Sequence, residues 1–395
     1  MAVRHRAQVQ LIRGGKTMLT LEGVRVVEFC EIAAGPFCGM LLADMGADVI
    51  KVERPEGDGM RQWPPISGGF SENFASVNRN KRSIALDLKD PKDLATARAL
   101  ALSADAVIEN YRPGVMKRYG LDHASLSQSA PDLVYASISA FGQTGPRAQE
   151  GGFDLTLQAM AGVMSVTGEA GGPPVKCGVP LCDFVSGLYA AFSVVCGLRK
   201  VREGAGGDHF DISMMGATLA VGALQTSQYF GTGSDPEKLG SAHPRNAPYQ
   251  AFRASDGWFA MAAGNNRLWE KVCEIAGTMD LLRDPRFTTS ILRAQNQQAL
   301  RDRLEAEFTR QPAGHWLERF AAAGVPSAEI NTYSQALADR QVAHLKLVED
   351  IVLPGGARTR TVVSPIVQSG RTSGVRRAPP TIGEHSAEIR AEIVM

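Results

Sequence analysis

The feature that most constrains the fold of this chain is an alternation of short β-branched runs with helical patterns between residues 21 and 138. Turn residues or helical segments bound each run, and that pattern is typical of βαβ units around a mostly parallel sheet. The runs cover residues 24–29, 48–53, 105–110 and 133–138. We therefore predict an α/β fold whose large domain is Rossmann-like.

The first predicted strand is not followed by a dinucleotide-binding fingerprint. A nucleotide-binding Rossmann domain places G-x-G-x-x-G there, because the glycines let the backbone approach a pyrophosphate at a helix N-terminus. Residues 30–37 read CEIAAGPF instead, in which Gly35 permits a sharp turn and Pro36 suits the first turn of a helix. The sequence thus predicts a helix N-terminus that faces a ligand, without the fingerprint.

A chain of 395 residues is too long for one ordinary domain, so we expect two lobes. The segment 231–236 has the composition of a linker, and a strand-like run at 258–262 followed by helical patterns predicts a smaller α/β domain. The predicted divisions are a disordered extension at 1–17, a large domain at 18–228, a linker at 229–247, a small domain at 248–340, and a C-terminal segment at 341–395 that returns to the large domain.

The charge balance and the cysteines restrict the function classes. Lys plus Arg number 42 and Asp plus Glu 41, a net charge of +1, so we expect no nucleic-acid or membrane partner. No run approaches the ~20 apolar residues of a membrane helix, and residues 1–17 contain no apolar stretch typical of a secretory signal. The six cysteines form no C-x-x-C pair and no metal-ligand spacing, so we expect free thiols, no metal site and a cytoplasmic protein.

Asp183 lies in an apolar, glycine-containing segment, residues 179–189, directly before the apolar run 190–195. Burying an ionised carboxylate without partners costs several kcal/mol. Two interpretations remain open at this point. Asp183 either caps the helix that begins here, which is the more ordinary role, or is held for chemistry.

Seven short motifs follow one another along the chain: LEGVRVVE at 21–28, AGPF at 34–37, GADVIKVERP at 46–55, NRNKRSI at 78–84, ENYRPG at 109–114, FGQTGP at 141–146 and GEH at 383–385. Taken in this order, they resemble family III coenzyme A transferases. That group includes formyl-CoA, carnitine-CoA and succinate/glutarate-type CoA-transferases and the related α-methylacyl-CoA racemases. The resemblance covers nearly the whole chain, and it implies an enzyme that binds CoA thioesters as substrates and holds no tightly bound cofactor.

The resemblance implies that Asp183 is the catalytic nucleophile. Its carboxylate would attack the thioester of a donor acyl-CoA to form a mixed anhydride, and CoA thiolate would then convert this to an aspartyl-CoA thioester. A carboxylic acid acceptor takes the CoA from that second intermediate. Gly142 and Gly145 are candidate oxyanion donors, as is the backbone near Gly35. Formyl-CoA transferases have glutamine where this chain has Ala33, so formate is a poor candidate acceptor.

The resemblance also implies a set of CoA-binding residues. Arginine suits phosphate because its planar guanidinium makes paired hydrogen bonds. The matching positions are Arg54, Lys81, Asn110, Tyr111 and Arg118, with Arg79 and Arg82 as neighbours. Without the resemblance, Lys81 and Arg82 would more simply form a solvated turn.

The choice of substrate rests on a later segment. Residues 242–252 are similar to the branch of the family that acts on succinyl-CoA and short dicarboxylic acids. His243 and Arg245 are therefore candidate ligands for the distal carboxylate of an acceptor. The alternative is that this stretch only joins the two lobes.

The sequence also bears on two other functions. A racemase of this family needs a second base, a histidine at the position of Phe153, and a phenyl ring cannot move a proton. A non-catalytic acyl-CoA-binding protein would make Asp183 dispensable, and nothing in the sequence suggests that loss. The resemblance further implies an interlocked homodimer, in which each chain passes through a ring formed by the two lobes of its partner.

Overall fold

The computed structural model describes residues 19–394. The extension that the sequence predicts at 1–17 lies outside the described residues.

The first part of the chain alternates strands and helices up to the eighth strand. In order they are β1 (Arg25–Phe29), α1 (Ala34–Asp44), β2 (Asp48–Glu53), β3 (Ile66–Ser67), β4 (Phe70–Ser71), α2 (Glu72–Asn78), β5 (Lys81–Ala85), α3 (Pro91–Ser103), β6 (Ala106–Glu109), α4 (Val115–Arg118), α5 (His123–Leu126), β7 (Val134–Ser139), α6 (Asp154–Met160), α7 (Val163–Val166), α8 (Leu181–Arg202) and β8 (His209–Ser213), with a short 3-10 helix at Gly59–Gln62.

The remainder is richer in helices. It contains α9 (Met214–Val221), α10 (Ala223–Thr232), β9 (Tyr249–Arg253), β10 (Trp258–Ala262), α11 (Asn266–Ala276), α12 (Ser290–Gln295), α13 (Gln297–Phe308), α14 (Ala313–Ala323), β11 (Ser327–Glu329), α15 (Tyr333–Leu337), α16 (Arg340–His344), β12 (Val348–Val352), β13 (Arg358–Val362), β14 (Val367–Gln368), β15 (Arg371–Thr372) and α17 (Ser386–Val394), with a 3-10 helix at Met279–Leu282. Gly222 separates α9 from α10.

The mostly parallel sheet has six strands in the order β5-β2-β1-β6-β7-β8. β1 pairs in parallel with β2 and β6, and the pairs β2·β5 and β6·β7 are also parallel. The four predicted strands are present within one or two residues of their expected ends. β5 was not predicted, because its residues KRSIA carry two cations and read as a polar motif rather than as a buried strand.

The chain divides into two compact units, and their limits differ from the domains predicted by sequence. Unit 1 contains the described residues up to Gln149, then Gly187–Ile212 and the chain from Glu349 onward; unit 2 contains Glu150–Ser186 and Ser213–Val348. The stretch 150–186 and the helices after β8, which we had assigned to the large domain, therefore belong to unit 2. One boundary falls inside α8, where a search for linkers in loops cannot find it.

In unit 1, the core lies between the six-stranded sheet and helices α3 and α17. Val27, Phe29, Ile50 and Tyr135 are buried in that layer. On α1, a Cβ at Gly39 would overlap the Glu28 carboxylate, so the glycine allows the helix to lie directly on the first strand. The close packing of α1 fixes the position of its N-terminus at the carboxyl end of β1.

Helix α8 passes a test of length and composition for a membrane-spanning helix. Our expectation that the chain contains no run of this kind was therefore wrong. The core helix of a soluble protein passes the same test, and half of its most apolar window is buried. Gly187 shows how α8 packs in unit 1, because a Cβ there would lie 2.6 Å from the Ala34 carbonyl oxygen.

Unit 2 contains a three-stranded antiparallel sheet in the order β11-β10-β9. Aromatic side chains dominate its core. Phe308 stands edge-on to Phe252, Phe259, Trp316 and Phe320, with ring centroids between 5.1 and 5.9 Å apart. This cluster joins the sheet to helices α13 and α14.

Candidate functional site

The Asp183 carboxylate lies in the first turn of α8, in a largely buried position. The helix begins at Leu181, two residues earlier, so Asp183 is inside the helix rather than at its cap. Among the residues that the structure describes, none donates a hydrogen bond to this carboxylate or forms an ion pair with it. The structure therefore does not support the interpretation of Asp183 as a capping residue.

The cap of α8 comes from Asp154. Its Oδ1 accepts the hydrogen bond of the Cys182 backbone N–H at 2.8 Å, and its Oδ2 accepts from Gln158 Nε2 at 2.7 Å. Gln158 is fully buried, and its own Oε1 accepts from the Cys177 N–H at 2.8 Å. Asp154 thus holds the helix terminus that carries Asp183, a role that we did not infer from the sequence.

The environment of Asp183 disfavours its charge. Burial, and to a smaller degree the neighbouring charge of Asp154, raise the pKa of Asp183 from 3.8 to about 6. At pH 7 the carboxylate is still mainly ionised, and its higher basicity makes it a stronger nucleophile than a solvated carboxylate. A charged, unpaired carboxylate at a helix N-terminus is suited to attack on an electrophilic carbonyl.

The histidine that a racemase would require is absent from the neighbouring loop. Phe153 occupies that position, directly before α6, with its side chain 76% exposed. Its backbone N–H donates to Thr156 Oγ1 at 3.0 Å. The phenyl group offers no proton to exchange.

The backbone N–H groups predicted as oxyanion donors differ in whether they already have a hydrogen-bond acceptor. The Gly142 N–H donates to Ser139 Oγ at 3.1 Å, so it is already occupied and our prediction of Gly142 as a donor is not supported. Gly145 is exposed, with a φ of 95° that favours glycine. At the start of α1, no hydrogen bond from the Ala34 or Gly35 N–H forms within residues 19–394, and Ala33 supplies no side-chain cap.

A pocket of about 380 Å³ opens in unit 1, where β1, β2, β5 and β6 end. Arg54 and Tyr111, both predicted from the sequence, line it. Apolar side chains such as Leu86 and Val115 form its walls, Arg54 and Lys89 supply cations, and four carboxyl side chains, Glu31, Glu53, Glu56 and Asp87, also line it. The apolar walls suit a flat heterocycle, and the two cations suit phosphate.

No motif in the sequence pointed to Lys89, which lines this pocket. It follows β5 as Arg54 follows β2, and parallel strands bring such residues to the same sheet edge. Recognising β5 as a strand would have identified it.

Lys81, by contrast, does not reach this pocket. Its ammonium group is fully buried and donates to the Glu28 carboxylate at 2.9 Å, to the Pro36 carbonyl at 2.7 Å and to Asn78 Oδ1 at 2.9 Å. The structure therefore argues against Lys81 as a ligand for CoA phosphate. If the ammonium group left these partners, the Glu28 carboxylate would be buried without its nearest cation.

The neighbouring arginines are also committed to internal ion pairs. Arg79 Nη2 lies 2.6 Å from Asp44 Oδ2, and Arg82 pairs with Asp48 at 2.5 Å and with Glu392 at 2.6 Å. Arg82 joins β5 to α17 in this way. These arginines form neither a solvated turn nor a phosphate site.

Asn110 and Arg118 complete the predicted CoA set. The Asn110 side chain binds the backbone of Glu31, accepting from its N–H at 2.9 Å and donating to its carbonyl at 2.8 Å. Arg118 is exposed at the end of α4 and does not line the pocket.

The candidate acceptor residues lie in unit 2. His243 Nδ1 accepts hydrogen bonds from the backbone N–H groups of Arg245 and Asn246, each at 3.1 Å, so the ring is neutral. Burial and the Arg245 charge lower the pKa of His243, which also favours the neutral ring. Arg245 is exposed and reaches Gln228 Oε1 only at 3.4 Å. Of the two, Arg245 is the residue that offers a positive charge.

No group of three or more His, Cys, Asp or Glu side chains in the described part of the chain is arranged to hold a metal ion.

Comparison with known proteins places this geometry in context. A model of CoA-transferase family III matches residues 21–386. The succinate–glutarate CoA-transferase of Agrobacterium fabrum is 37% identical over 381 residues, which cover 94% of this chain and 95% of the relative. The succinyl-CoA:glutarate CoA-transferase of Homo sapiens is 36% identical over 377 residues, 95% and 86% of the two chains. The crystal structure of a CAIB/BAIF family protein from Brucella suis is similar with a TM-score of 0.84 and 38% identity, covering 95% of this chain and all of that one.

Proposed function

Because this chain belongs to CoA-transferase family III, we propose that it transfers CoA from succinyl-CoA to a short dicarboxylic acid through covalent intermediates on Asp183. The human relative is named for succinyl-CoA and glutarate, and we extend that pair of substrates to this chain. The observation that carries the proposal is the Asp183 carboxylate, which is largely buried, unpaired among the described residues and raised in pKa to about 6.

The proposed reaction has four steps. An Asp183 oxygen attacks the thioester carbonyl of succinyl-CoA. The C–S bond breaks, CoA leaves as thiolate, and a succinyl-aspartyl anhydride is formed. The thiolate then attacks the aspartyl carbonyl and releases succinate. A carboxylate of the acceptor attacks the resulting aspartyl-CoA thioester and again expels CoA thiolate. That thiolate attacks the acceptor carbonyl of the new anhydride, which yields the product acyl-CoA and restores the Asp183 carboxylate.

The surrounding residues take supporting roles in this proposal. Asp154 holds the start of α8 through the Cys182 N–H. The pocket with Arg54, Lys89 and Tyr111 binds the adenine and phosphates of CoA. Arg245 pairs with the distal carboxylate of the acceptor, and the neutral His243 donates a hydrogen bond to it.

Chemical trapping tests the proposal. The protein is incubated with succinyl-CoA and then with hydroxylamine, and peptide mass spectrometry locates the modified residue. We expect a hydroxamate on Asp183. The Asp183→Ala variant should carry no label, whereas Asp235→Asn, a change at an exposed carboxylate of the same unit, should leave the label in place.

The outcome also separates the competing functions. An unlabelled Asp183 together with exchange of the α-proton of a branched acyl-CoA would favour a racemase. CoA binding with neither reaction would favour a non-catalytic acyl-CoA-binding protein.

We further propose that the protein acts as an interlocked homodimer. Large apolar side chains are exposed on α8 and α10, including Phe192 at 68% and Phe230 at 81%. Such side chains on two helices are typical of a protein interface. Sedimentation analysis should give twice the mass of the chain, and a monomer at micromolar concentration would contradict the proposal.

We also propose a cytoplasmic location. The six cysteines are free thiols in the structure, four of them buried, which suits a reducing compartment. Fractionation of the source cells would test this assignment.

A further inference from the structure

The turn between β1 and α1 contains a residue in a strained backbone conformation. Ile32 has a φ of 68°, in the left-handed region. A β-branched residue rarely adopts this region, because its Cβ crowds the backbone. Strain of this kind persists only where the surrounding structure holds it, and it concentrates at functional sites.

Side chains, rather than backbone, satisfy the polar groups of this turn. Lys51 Nζ donates to the Cys30 carbonyl at 2.6 Å. Asn110 binds both the N–H and the carbonyl of Glu31. The Ile32 N–H donates to both oxygens of Asp58, at 3.1 and 3.2 Å. Three side chains from three other segments therefore hold four consecutive polar backbone groups.

Two of these side chains form a buried ion pair. Lys51 Nζ lies 3.0 Å from Asp58 Oδ2, and both side chains are completely buried. Burial alone would raise the pKa of Asp58, but the Lys51 charge and hydrogen bonds from the Met60 and Ile32 N–H groups lower it. The pair is therefore ionised at neutral pH. The Asp58 N–H also donates to Glu53 Oε2 at 3.0 Å, which fixes the loop that carries the carboxylate.

The turn connects this rigid support to the ligand pocket. Glu31 lines the pocket beside Arg54 and Tyr111, and burial raises the pKa of its carboxyl. At the other end of the turn, Ala34 begins α1. A Cβ at Gly35 would overlap Cys30, so the turn and the helix start pack directly on each other. A change in the conformation at Ile32 would displace both the pocket wall and the start of the helix.

We propose that Lys51, Asp58 and Asn110 are positioning residues that hold the Ile32 turn in its strained conformation and so shape the CoA pocket. This inference rests on the proposed function. It assigns Asn110 to the backbone of Glu31, a role that differs from the direct contact with CoA predicted from the sequence. None of the three residues need touch the substrate, since each acts through the turn.

A double-mutant cycle with glycine at the strained position tests the proposal. Glycine adopts positive φ without strain, so Ile32→Gly should make the turn less dependent on its supports. We expect Asp58→Asn to weaken CoA binding about tenfold when Ile32 is present, and by less than about threefold in the Ile32→Gly background. Calorimetry with CoA measures these affinities, and the KM for succinyl-CoA should follow them.

Asn110→Ala provides a second, uncharged perturbation. It removes both hydrogen bonds to Glu31 without leaving a buried charge, so it remains informative if Asp58→Asn fails to fold. We expect the same rescue by Ile32→Gly. Thermal unfolding of each variant verifies that the binding is measured on folded protein.

Equal losses with and without Ile32→Gly would overturn the inference, because residues that act through the general fold or by direct contact with CoA are not rescued by a flexible turn. No loss in either variant would overturn it as well. A wild-type protein that does not bind CoA would instead overturn the proposed function, and this inference with it.

Discussion

Replacing the Asp183 carboxylate by an amide is expected to stabilise the protein while abolishing CoA transfer. In the folded chain, burial and then the Asp154 charge raise the pKa of Asp183 from 3.8 to about 6. The difference of about two between these pKa values corresponds to about 3 kcal/mol of folding free energy above pH 6. Because the side chain keeps some contact with solvent, we expect Asp183→Asn to raise the free energy of unfolding by about 1–2 kcal/mol at pH 7.5.

The raised pKa dictates how this gain varies with pH. Well below pH 3.8 the carboxyl group is protonated in both the folded and the unfolded chain, so it costs the wild type no stability. As the pH rises from 3.8 to about 6, the unfolded chain releases its proton first and the wild type becomes less stable relative to the variant. The gain from Asp183→Asn should therefore be complete above pH 6 and about half as large at pH 5.

Urea unfolding followed by circular dichroism at pH 5 and pH 7.5, at one protein concentration, measures the gain. Asp235→Asn is the matched control, since it removes an exposed carboxylate of the same unit and should give no pH-dependent difference. A gain of the same size at both pH values would refute the reasoning. So would a loss of stability at pH 7.5, because the carboxylate would then have a favourable partner in the folded protein.

Three further predictions concern the same regions. The Asp154 charge is the second cause of the raised pKa of Asp183, so Asp154→Asn should lower the midpoint of the acid limb of kcat/KM from about 6 by about half a pH unit. A pH–rate profile whose midpoint does not move would contradict this. Arg54→Ala and Lys89→Ala should each raise the KM for succinyl-CoA about tenfold at nearly constant kcat, and an equal effect of Arg118→Ala would show that this exposed residue also contacts CoA. Lys81→Met leaves Glu28 buried without its closest cation, so it should lower the free energy of unfolding, measured by urea denaturation, by about 3–5 kcal/mol. A raised KM for succinyl-CoA with unchanged stability would instead show that Lys81 binds CoA.

The segment 78–84 shows how far sequence patterns extend. Its cations match a family motif, and from that motif we predicted contact between Lys81 and CoA phosphate. The structure instead pairs Arg79 with Asp44 and Lys81 with Glu28. A cation in a sequence has no visible partner, and these partners lie 35 and 53 residues earlier in the chain. Lys81 on β5 reaches Glu28 on β1 only because both strands pair in parallel with β2.

Asn110 illustrates the same limit at the pocket. Asn110 directly follows β6 and therefore lies at the carboxyl edge of the sheet, where α/β proteins bind ligands. The sequence does not reveal that the side-chain amide of Asn110 makes its two hydrogen bonds with the backbone of Glu31. The strain at Ile32 is equally invisible, because a backbone angle depends on what surrounds the residue.

The sequence by itself determined the parallel sheet, the placement of Asp183 at the start of an apolar helix, and the membership of the chain in its family. These are local properties, set by hydrophobic periodicity and by motifs of a few residues. The tertiary structure decided which charged groups are buried in pairs, which carboxylate caps α8, and where the two units divide within that helix. Those outcomes depend on contacts between residues far apart in the chain, because the cost of burying a charge is set by the partners that the fold brings to it.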